Sequence, residues 1–311
     1  MRKPLYIILI SVCLLILIAC QQKNGFTNKN EAKNDMVNGL KEGKWIEYWD
    51  YNHYVTDTNK GYEIYILTIY KKGKPYGIVR EYYKCGKIER EIPYVNGVEK
   101  WYSENGYEWG EYPTINGKRD GIAKEYFKGM LTKEAPFNNG KLNGVVKEYI
   151  ESDKVIKETP YSNDDKNGIE KWYYENGKVF KVVPYKNGVK DGIEIVYGEK
   201  GEIESKHSFK RGCEYGTGID YYYNGKIMYE VPYIIDSTVG SFRSEINGIK
   251  KTYYESGELN FEMPFTKGNL NGEVKEYYKN GKLKSETNYK NGVFGIQGKT
   301  KHYDEIGNEI K

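Results

Sequence analysis

Histidine and cysteine are nearly missing from this chain, and their scarcity closes off most catalytic chemistry. The 311 residues hold three histidines, His53, His207 and His302, and four cysteines, Cys13, Cys20, Cys85 and Cys213. Histidines this far apart in sequence supply neither a His-based metal site nor a Ser-His-Asp arrangement from near neighbours. No glycine-rich phosphate loop and no catalytic motif is present. No catalytic residue, metal or cofactor is therefore expected. Beyond the first twenty residues there is no long apolar run, and no segment carries a helical hydrophobic period. Charge of one sign is lacking too: 48 Lys and Arg stand against 44 Asp and Glu, interspersed, for a formal +4. That balance excludes a basic stripe for nucleic acid. Proline is scarce as well, with nine in the chain. Seven of them (Pro93, Pro113, Pro136, Pro160, Pro184, Pro232 and Pro264) occupy one place in a repeating pattern.

Tyrosine and glycine make the pattern. Eleven tyrosines stand five residues after a glycine: Tyr48, Tyr82, Tyr102, Tyr126, Tyr149, Tyr173, Tyr197, Tyr221, Tyr253, Tyr277 and Tyr303, mostly 23 or 24 residues apart. A period of this length means stacked supersecondary units, each too small to bury a core alone. The best-preserved unit runs from Gly168 to Asp191, and its glycine is taken as template position zero. The dipeptide Asn-Gly occurs fifteen times. It is the strongest short hairpin signal, because a type I′ turn needs positive φ at both central residues. One set lies inside units (Asn105-Gly106, Asn176-Gly177, Asn224-Gly225, Asn280-Gly281) and another joins them (Asn96-Gly97, Asn143-Gly144, Asn167-Gly168, Asn247-Gly248, Asn271-Gly272). Consecutive hairpins joined by short turns give an antiparallel meander.

A two-residue inner turn at positions 8 and 9 makes cross-strand partners sum to 17. Position 3 is basic in most units (Arg80, Lys100, Lys124, Lys147, Lys171, Lys251, Lys275, Lys301), and position 14 is Glu in many (Glu91, Glu111, Glu134, Glu158, Glu230, Glu262, Glu286). These charges should face each other, each exposed pair contributing about 0.2 to 1 kcal/mol. Their recurrence favours structural pairing over acid-base work. The same sum pairs the aromatic position 6 (Trp49, Tyr83, Phe127, Tyr174, Tyr222, Tyr254, Tyr278) with the aliphatic position 11, and position 17 adds a further aromatic column. The tyrosines at position 5 share the face of the Lys and Glu pairs, and the prolines at position 16 fall at strand ends, where a missing N–H costs little. The expected fold is all-β: an elongated, solenoid-like antiparallel meander of about eleven β-hairpin repeats, a largely single-layer twisted sheet.

At these residues the chain resembles the bacterial MORN-repeat-variant family, whose units read G-x-x-x-x-Y-Y-x-x-G-K and then E-x-P-Y-x-N-G. The resemblance covers Gly39 to Lys311. It implies a repeat scaffold for membrane lipid or protein contact, and some members are labelled antitoxins.

The N-terminus is a separate object. Arg2 and Lys3 precede an apolar run from Leu5 to Ala19 that reads as a signal peptide. The run ends on Leu17-Ile18-Ala19-Cys20, which resembles the lipobox of bacterial lipoproteins, so residues 1–19 are expected to be removed and Cys20 to be lipidated. Residues 20–37 are polar, with a single Phe26, and read as a flexible tether. Residues 38–311 form the repeat domain, interrupted near 50–66 and 234–247. Cys85 and Cys213 lie about five repeats apart, on the order of 50 Å at about 4.8 Å per strand, beyond disulfide reach. Two free thiols are expected.

Flat aromatic rows suit recognition, and interruptions of a repeat are natural places for specificity. The candidate binding residues are Tyr51, His53, Tyr54 and Tyr62 in the first interruption and Tyr126, Tyr173 and Tyr221 in the column. The expected function is that of a non-enzymatic, membrane-tethered repeat lipoprotein of the cell envelope, on the outer membrane where the cell has one. Its partners would be the membrane through acylated Cys20 and a protein or envelope glycan. An antitoxin or immunity-like role is the alternative, and an envelope enzyme ranks below both. A homodimer through an aromatic sheet face is also expected, since a long bare apolar stripe invites a partner.

Overall fold

The computed structural model describes residues 25–50, 54–56, 61–151, 154–237, 242–292 and 300–310. The fold is an all-β antiparallel meander; among the described residues there are thirty strands, no α-helix and a short 3-10 turn at Lys29–Glu31. The leader, with Cys20, lies outside the described residues. The chain divides into two compact units, Met1–Lys154 and Val155–Lys311.

In the first unit, strand Leu40–Trp49 pairs with Ile64–Lys71, which pairs with Lys74–Tyr83, and the meander continues through Ile88–Pro93, Asn96–Tyr102, Glu108–Ile115, Gly121–Phe127, Met130–Asn138 and Gly144–Ile150. Its core gathers at the start, where Phe26, Tyr65, Leu67 and Tyr82 pack together and Leu67 is wholly buried. This corrects the reading of a flexible tether for residues 25–37; residues 20–24 lie outside the described residues. Residues 25–37 lie against the sheet: Phe26 fills the apolar gap over Leu67, Arg80 Nη1 donates to the Phe26 carbonyl at 3.4 Å, and Asp35–Val37 pairs with Leu40–Trp49. The lone aromatic of a polar segment is its anchor, because an exposed edge of Tyr65, Leu67 and Tyr82 is stabilised by any apolar cover.

In the second unit the hairpin from Gly168 shows the repeat at its most regular. Gly168 faces Tyr185, Ile169 faces Pro184, Glu170 faces Val183, Lys171 faces Val182 and Trp172 faces Lys181. The expected sum of 17 holds for template positions 0 to 4. Then a β-bulge intervenes, and Tyr173 faces Val179, leaving Phe180 as the extra residue. The expected pairing of position 6 with position 11 does not form: position 5 takes that partner, and position 6 closes the turn, Tyr174 N–H donating to the Lys178 carbonyl at 2.9 Å. The same shift occurs in the hairpins from Gly77, Gly97, Gly121, Gly192, Gly216, Gly248 and Gly272.

Both sets of Asn-Gly turns are corrected by the backbone angles. In the inner Asn-Gly turns only the glycine has positive φ (Gly177, 82°), and Asn176 instead uses its side chain, Oδ1 accepting from Lys178 N–H at 2.9 Å. This is a longer loop closed by a left-handed glycine, the commonest alternative to a type I′ turn. The shortened Gly121 hairpin alone of those named has two positive φ values, at Lys128 (51°) and Gly129 (82°). Between units the turns with two positive φ values come earlier, as at Asn187 (49°) and Gly188 (82°). Of the Asn-Gly dipeptides read as joining turns, Asn143-Gly144, Asn167-Gly168, Asn247-Gly248 and Asn271-Gly272 are bulges, while Asn96-Gly97 opens its strand in register with Ile115 and Thr114.

At those bulges the proline and the glycine explain each other. Pro184 is not at its strand's end but two residues inside Val179–Lys186. Beyond it the register changes, from Tyr185↔Lys190 to Val182↔Ile195, so that Asp191 and Gly192 bulge opposite the proline. The Pro184 carbonyl accepts from Asp191 N–H at 3.0 Å, and the absent proline donor has no ladder partner to lose. Gly192 has φ 127°, and a Cβ there would stand 2.7 Å from Pro184 Cγ. Gly144 against Pro136, Gly168 against Pro160 and Gly272 against Pro264 repeat the contact. Only glycine fits that angle and that approach.

Burial is thin and falls in a row at positions 2 and 15: Ala123, Ala135, Tyr112 and Val146 in the first unit, and Thr159, Glu170, Val183 and Val231 in the second. The interruption at 234–247 is a lengthened hairpin, in which Ile227–Asp236 pairs with Arg243–Ile246.

Candidate functional site

Most of the repeated side chains are occupied in joining one hairpin to the next. Most position-14 glutamates sit between two basic residues, as Glu111 faces Lys100 of its own hairpin and Lys124 of the next, while Glu230 faces Ile219 on one side and Lys251 on the other. Arg80 to Glu91 and Lys100 to Glu111 each span 2.7 Å. The position-5 tyrosine then donates its hydroxyl to the Glu of the preceding hairpin: Tyr126 to Glu111 (3.1 Å), Tyr149 to Glu134 (2.7 Å), Tyr173 to Glu158 (2.8 Å), Tyr253 to Glu230 (2.8 Å), Tyr277 to Glu262 (2.9 Å) and Tyr303 to Glu286 (2.8 Å). Burial, with the carboxylate acceptors beside it, pushes the Tyr126, Tyr173, Tyr253 and Tyr277 hydroxyls up to about 12. The neutral phenol is thereby held as a donor to a charged acceptor.

A second tie runs along the inner-turn edge. The position-6 tyrosine donates to the backbone carbonyl of the next hairpin's position 5: Tyr83 to Tyr102, Tyr174 to Tyr197, Tyr222 to Tyr253, Tyr254 to Tyr277 and Tyr278 to Tyr303, at 2.8 to 2.9 Å. The position-17 rings are also covered, with Lys166 over Tyr185 and Lys190 over Phe209, both at 4.5 Å. The sequence-expected apolar stripe is thus broken up by hydroxyl bonds and overlying cations.

The hairpin from Gly192 keeps the covered ring at position 17 but departs from the charge-pair and position-6 rules. Ile195 replaces the position-3 base, Lys206 replaces the position-14 acid, and Gly198 stands where seven other units carry an aromatic ring at position 6. Beside it lies a cleft of about 430 Å³, lined by Val196, Glu204, Ser205, Asp220, Tyr221, Tyr222, Tyr223, Met228 and Tyr229; Gly198 itself is buried, with the Glu202 carboxylate where its Cβ would point. Tyr223 is 87% exposed. Asp220 is held from outside the lining by His207, whose Nε2 lies 3.3 Å from Asp220 Oδ1 and whose Nδ1 lies 2.8 Å from Glu214 Oε1. Gly218 makes room for that imidazole, since a Cβ there would come within 2.9 Å of Nδ1.

The sequence-predicted residues do not assemble into one site. Tyr51 and His53 lie outside the described residues, as does Cys20. Tyr54 is exposed, its backbone N–H bonded to Asp50 Oδ1 at 2.9 Å. Tyr62 packs edge-on to Tyr48 and Tyr65 at centroid distances of 4.9 and 6.4 Å, against the core of the first unit. Tyr126 and Tyr173 belong to the hydroxyl ladder, and only Tyr221 borders the cleft. Glu204, Asp220, Tyr223 and Tyr229 were not anticipated; the signal in the sequence was Gly198, a gap in the aromatic column. Cys85 and Cys213 are both free.

Template and geometry together place the repeats in a known class. Six segments of this chain match the MORN repeat variant: residues 75–96, 142–163, 166–187, 214–234, 246–267 and 270–291. The MORN-variant repeats therefore include the hairpins from Gly168 and Gly216, while the intervening Gly192 hairpin falls between matched segments. None of the curated proteins matches the chain. Among solved structures the chain is similar to TcdB2-TccC3 without its hypervariable C-terminal region, at 13% identity and a TM-score of 0.17, over 79% of this chain and 16% of that one. It is also similar to the Photorhabdus luminescens Tc holotoxin pore with a mutated TccC3, at 11% identity and a TM-score of 0.15, over 89% of this chain and 17% of that one. The chain thus spans about a sixth of the length of either, and nothing further rests on these likenesses.

Proposed function

We propose that this protein is a non-enzymatic repeat scaffold, tethered to the cell envelope through lipidated Cys20, that binds a protein or envelope component at the cleft between the hairpins from Gly192 and Gly216. The observation that carries this reading is the contrast in side-chain use. Along the regular hairpins, Tyr, Lys and Glu are committed to one another. At the Gly192 hairpin the repeat loses its ring and its charge pair, and rings and carboxylates face open space instead. Exposed aromatic rings beside polar groups are what recognition surfaces use. The MORN-variant repeats are consistent with a scaffold, and the lipobox-like Leu17-Ile18-Ala19-Cys20 supports the anchor.

The test places a photo-cross-linking amino acid at Tyr223 or at Tyr173 of the full-length acylated protein in intact cells. A discrete adduct with one envelope component is expected from position 223 and none from position 173. Adducts from 173 alone would overturn the assignment of the cleft. For the anchor, Cys20→Ser is expected to move the protein out of the membrane fraction, and retention there would refute lipidation at this residue.

A further inference from the structure

The walls of the cleft restrict what can enter it. Two carboxylates, Glu204 and Asp220, stand among its lining residues, and no Lys, Arg or His does. The Tyr222, Tyr223 and Tyr229 side chains add rings, whose faces carry negative charge density. The backbone adds an acceptor. In five other pairs of neighbouring hairpins a position-6 tyrosine hydroxyl caps the position-5 carbonyl of the next hairpin. Gly198 has no hydroxyl to give, so the Tyr221 carbonyl receives no such cap. The cleft is therefore rich in acceptors and ring faces, and its nearest cation is Lys250, whose Nζ lies 5.9 Å from the Tyr229 ring centroid without lining the recess. The Tyr222 and Tyr223 rings and the Glu204 carboxylate have no such partner among the lining residues.

Resting on the reading of this cleft as a recognition site, we propose that it takes a cationic N–H donor, the guanidinium or ammonium head of a basic side chain. The charge is drawn by two carboxylates in a recess, where screening is weaker than on open surface. The donor replaces the missing tyrosine hydroxyl at the Tyr221 carbonyl, and the aliphatic stem lies along Val196 and Met228, leaving the head over the rings in cation–π contact. An anionic headgroup or a phosphate would find hydroxyl donors at Ser205 and the tyrosines but would lie beside two carboxylates with no cation among the lining residues. A neutral sugar could stack on Tyr223 but would leave both carboxylates without a counter-charge. His207, donating from behind or bridging Glu214 and Asp220, is a positioning residue that fixes the Asp220 carboxylate without touching the occupant.

The experiment titrates the detergent-solubilised full-length protein with N-acetyl-arginine methylamide, N-acetyl-lysine methylamide, the isosteric N-acetyl-norleucine methylamide and maltose, following the Met228 methyl resonance. The two cationic amides are expected to bind at about millimolar dissociation constants and to weaken with added salt, while norleucine amide and maltose leave the resonance unmoved. Glu204→Gln with Asp220→Asn keeps the shape and removes the charge, and should weaken arginine amide at least about tenfold. Gly198→Tyr restores the ring of the other hairpins. Gly198 is not in the left-handed region, and the atoms a Cβ would meet are the far end of the Glu202 side chain, at 2.6 Å, which must swing aside. This variant should fold with an unchanged or raised melting temperature and bind no cation. Equal binding of norleucine and arginine amides, or full affinity in the folded Gly198→Tyr protein or in the charge-neutralised double variant, would overturn the proposal. Cation binding without any cross-link from Tyr223 would leave the site standing and remove only the envelope partner.

Discussion

The hairpins that begin at Gly168 and Gly192 are neighbours on one template, with the same length and the same bulge after position 4. The first spends its side chains on its neighbours. Tyr173 reaches back to Glu158, Tyr174 reaches forward to the Tyr197 carbonyl, and Lys171 faces Glu158. The second keeps the backbone and drops the bonds: Ile195, Gly198 and Lys206 stand where base, ring and acid belong, and Ser208 stands where the proline belongs. Regular ladder bonds and backbone bulges therefore hold the sheet as separate layers of specification, and a repeat can give up the first without losing the second. What it gains is open surface.

Alkaline pH should break the regular hairpins most completely. Burial, and then the Glu acceptors, raise Tyr102, Tyr126, Tyr173, Tyr253 and Tyr277 to about 12 in the folded protein, against about 10 in an unfolded chain. An acid with a raised folded value contributes stability that is fully present below the unfolded value and is lost as pH rises from about 10 through 12. Circular dichroism and tyrosinate absorbance followed together should show the sheet melting in that window as these phenols ionise. Ionisation of all tyrosines with the sheet intact would show that the ladder is dispensable. Next in size is the glycine pair. Gly168→Ala places a methyl group about 2.9 Å from Pro160 Cγ at a φ of 122° and should cost about 2 to 4 kcal/mol in denaturant unfolding. Gly216 has φ 71° and nothing within 4 Å, because Ser208 replaces the proline. Gly216→Asn should cost less than about 1 kcal/mol.

Much of this comparison was legible beforehand. The tyrosine period fixed the hairpin count, and the Lys and Glu columns fixed the pairing of positions 0 to 4, since opposite charges at positions 3 and 14 admit one register. The turns were not legible, because Asn-Gly suits a two-residue type I′ turn and a left-handed closing glycine alike, and only the extra residue at position 12 decides between them. That residue re-aims position 6 from the expected stripe to the next hairpin's carbonyl. Without that bond the importance of Gly198 could not be seen. Phe26 was missed because its polar neighbours outweighed it in composition, although one buried ring is enough to seat a segment.

The two hairpins also differ at their buried glutamates. Glu170 and Glu194 both occupy position 2, with side-chain exposures of 4% and 13%. Burial alone would push the Glu170 carboxyl up, but hydrogen bonds from Lys166, Trp172 and Thr159 outweigh it and hold the group below the ordinary range. A depressed carboxylate contributes stability above its unfolded value that is lost as pH falls through the folded one. Glu170→Gln should cost about 1 to 3 kcal/mol at neutral pH, with the gap to wild type narrowing in acid. A constant gap across that range would mean that packing rather than charge is lost.

The smallest effect separates the hairpins most cleanly. Tyr173→Phe removes a 2.8 Å hydroxyl bond to the Glu158 carboxylate, worth about 1 kcal/mol once its partial exposure is allowed for. Tyr197→Phe removes the same atom from the same column, but the preceding hairpin offers Val182 where the acid would be, and the change should stay within about 0.5 kcal/mol. Both positions are half-buried, so the difference between the two variants reads chiefly the hydroxyl ladder. Equal losses would mean that the column contributes through its rings, and the tyrosines bordering the cleft would then have to be counted as structural too.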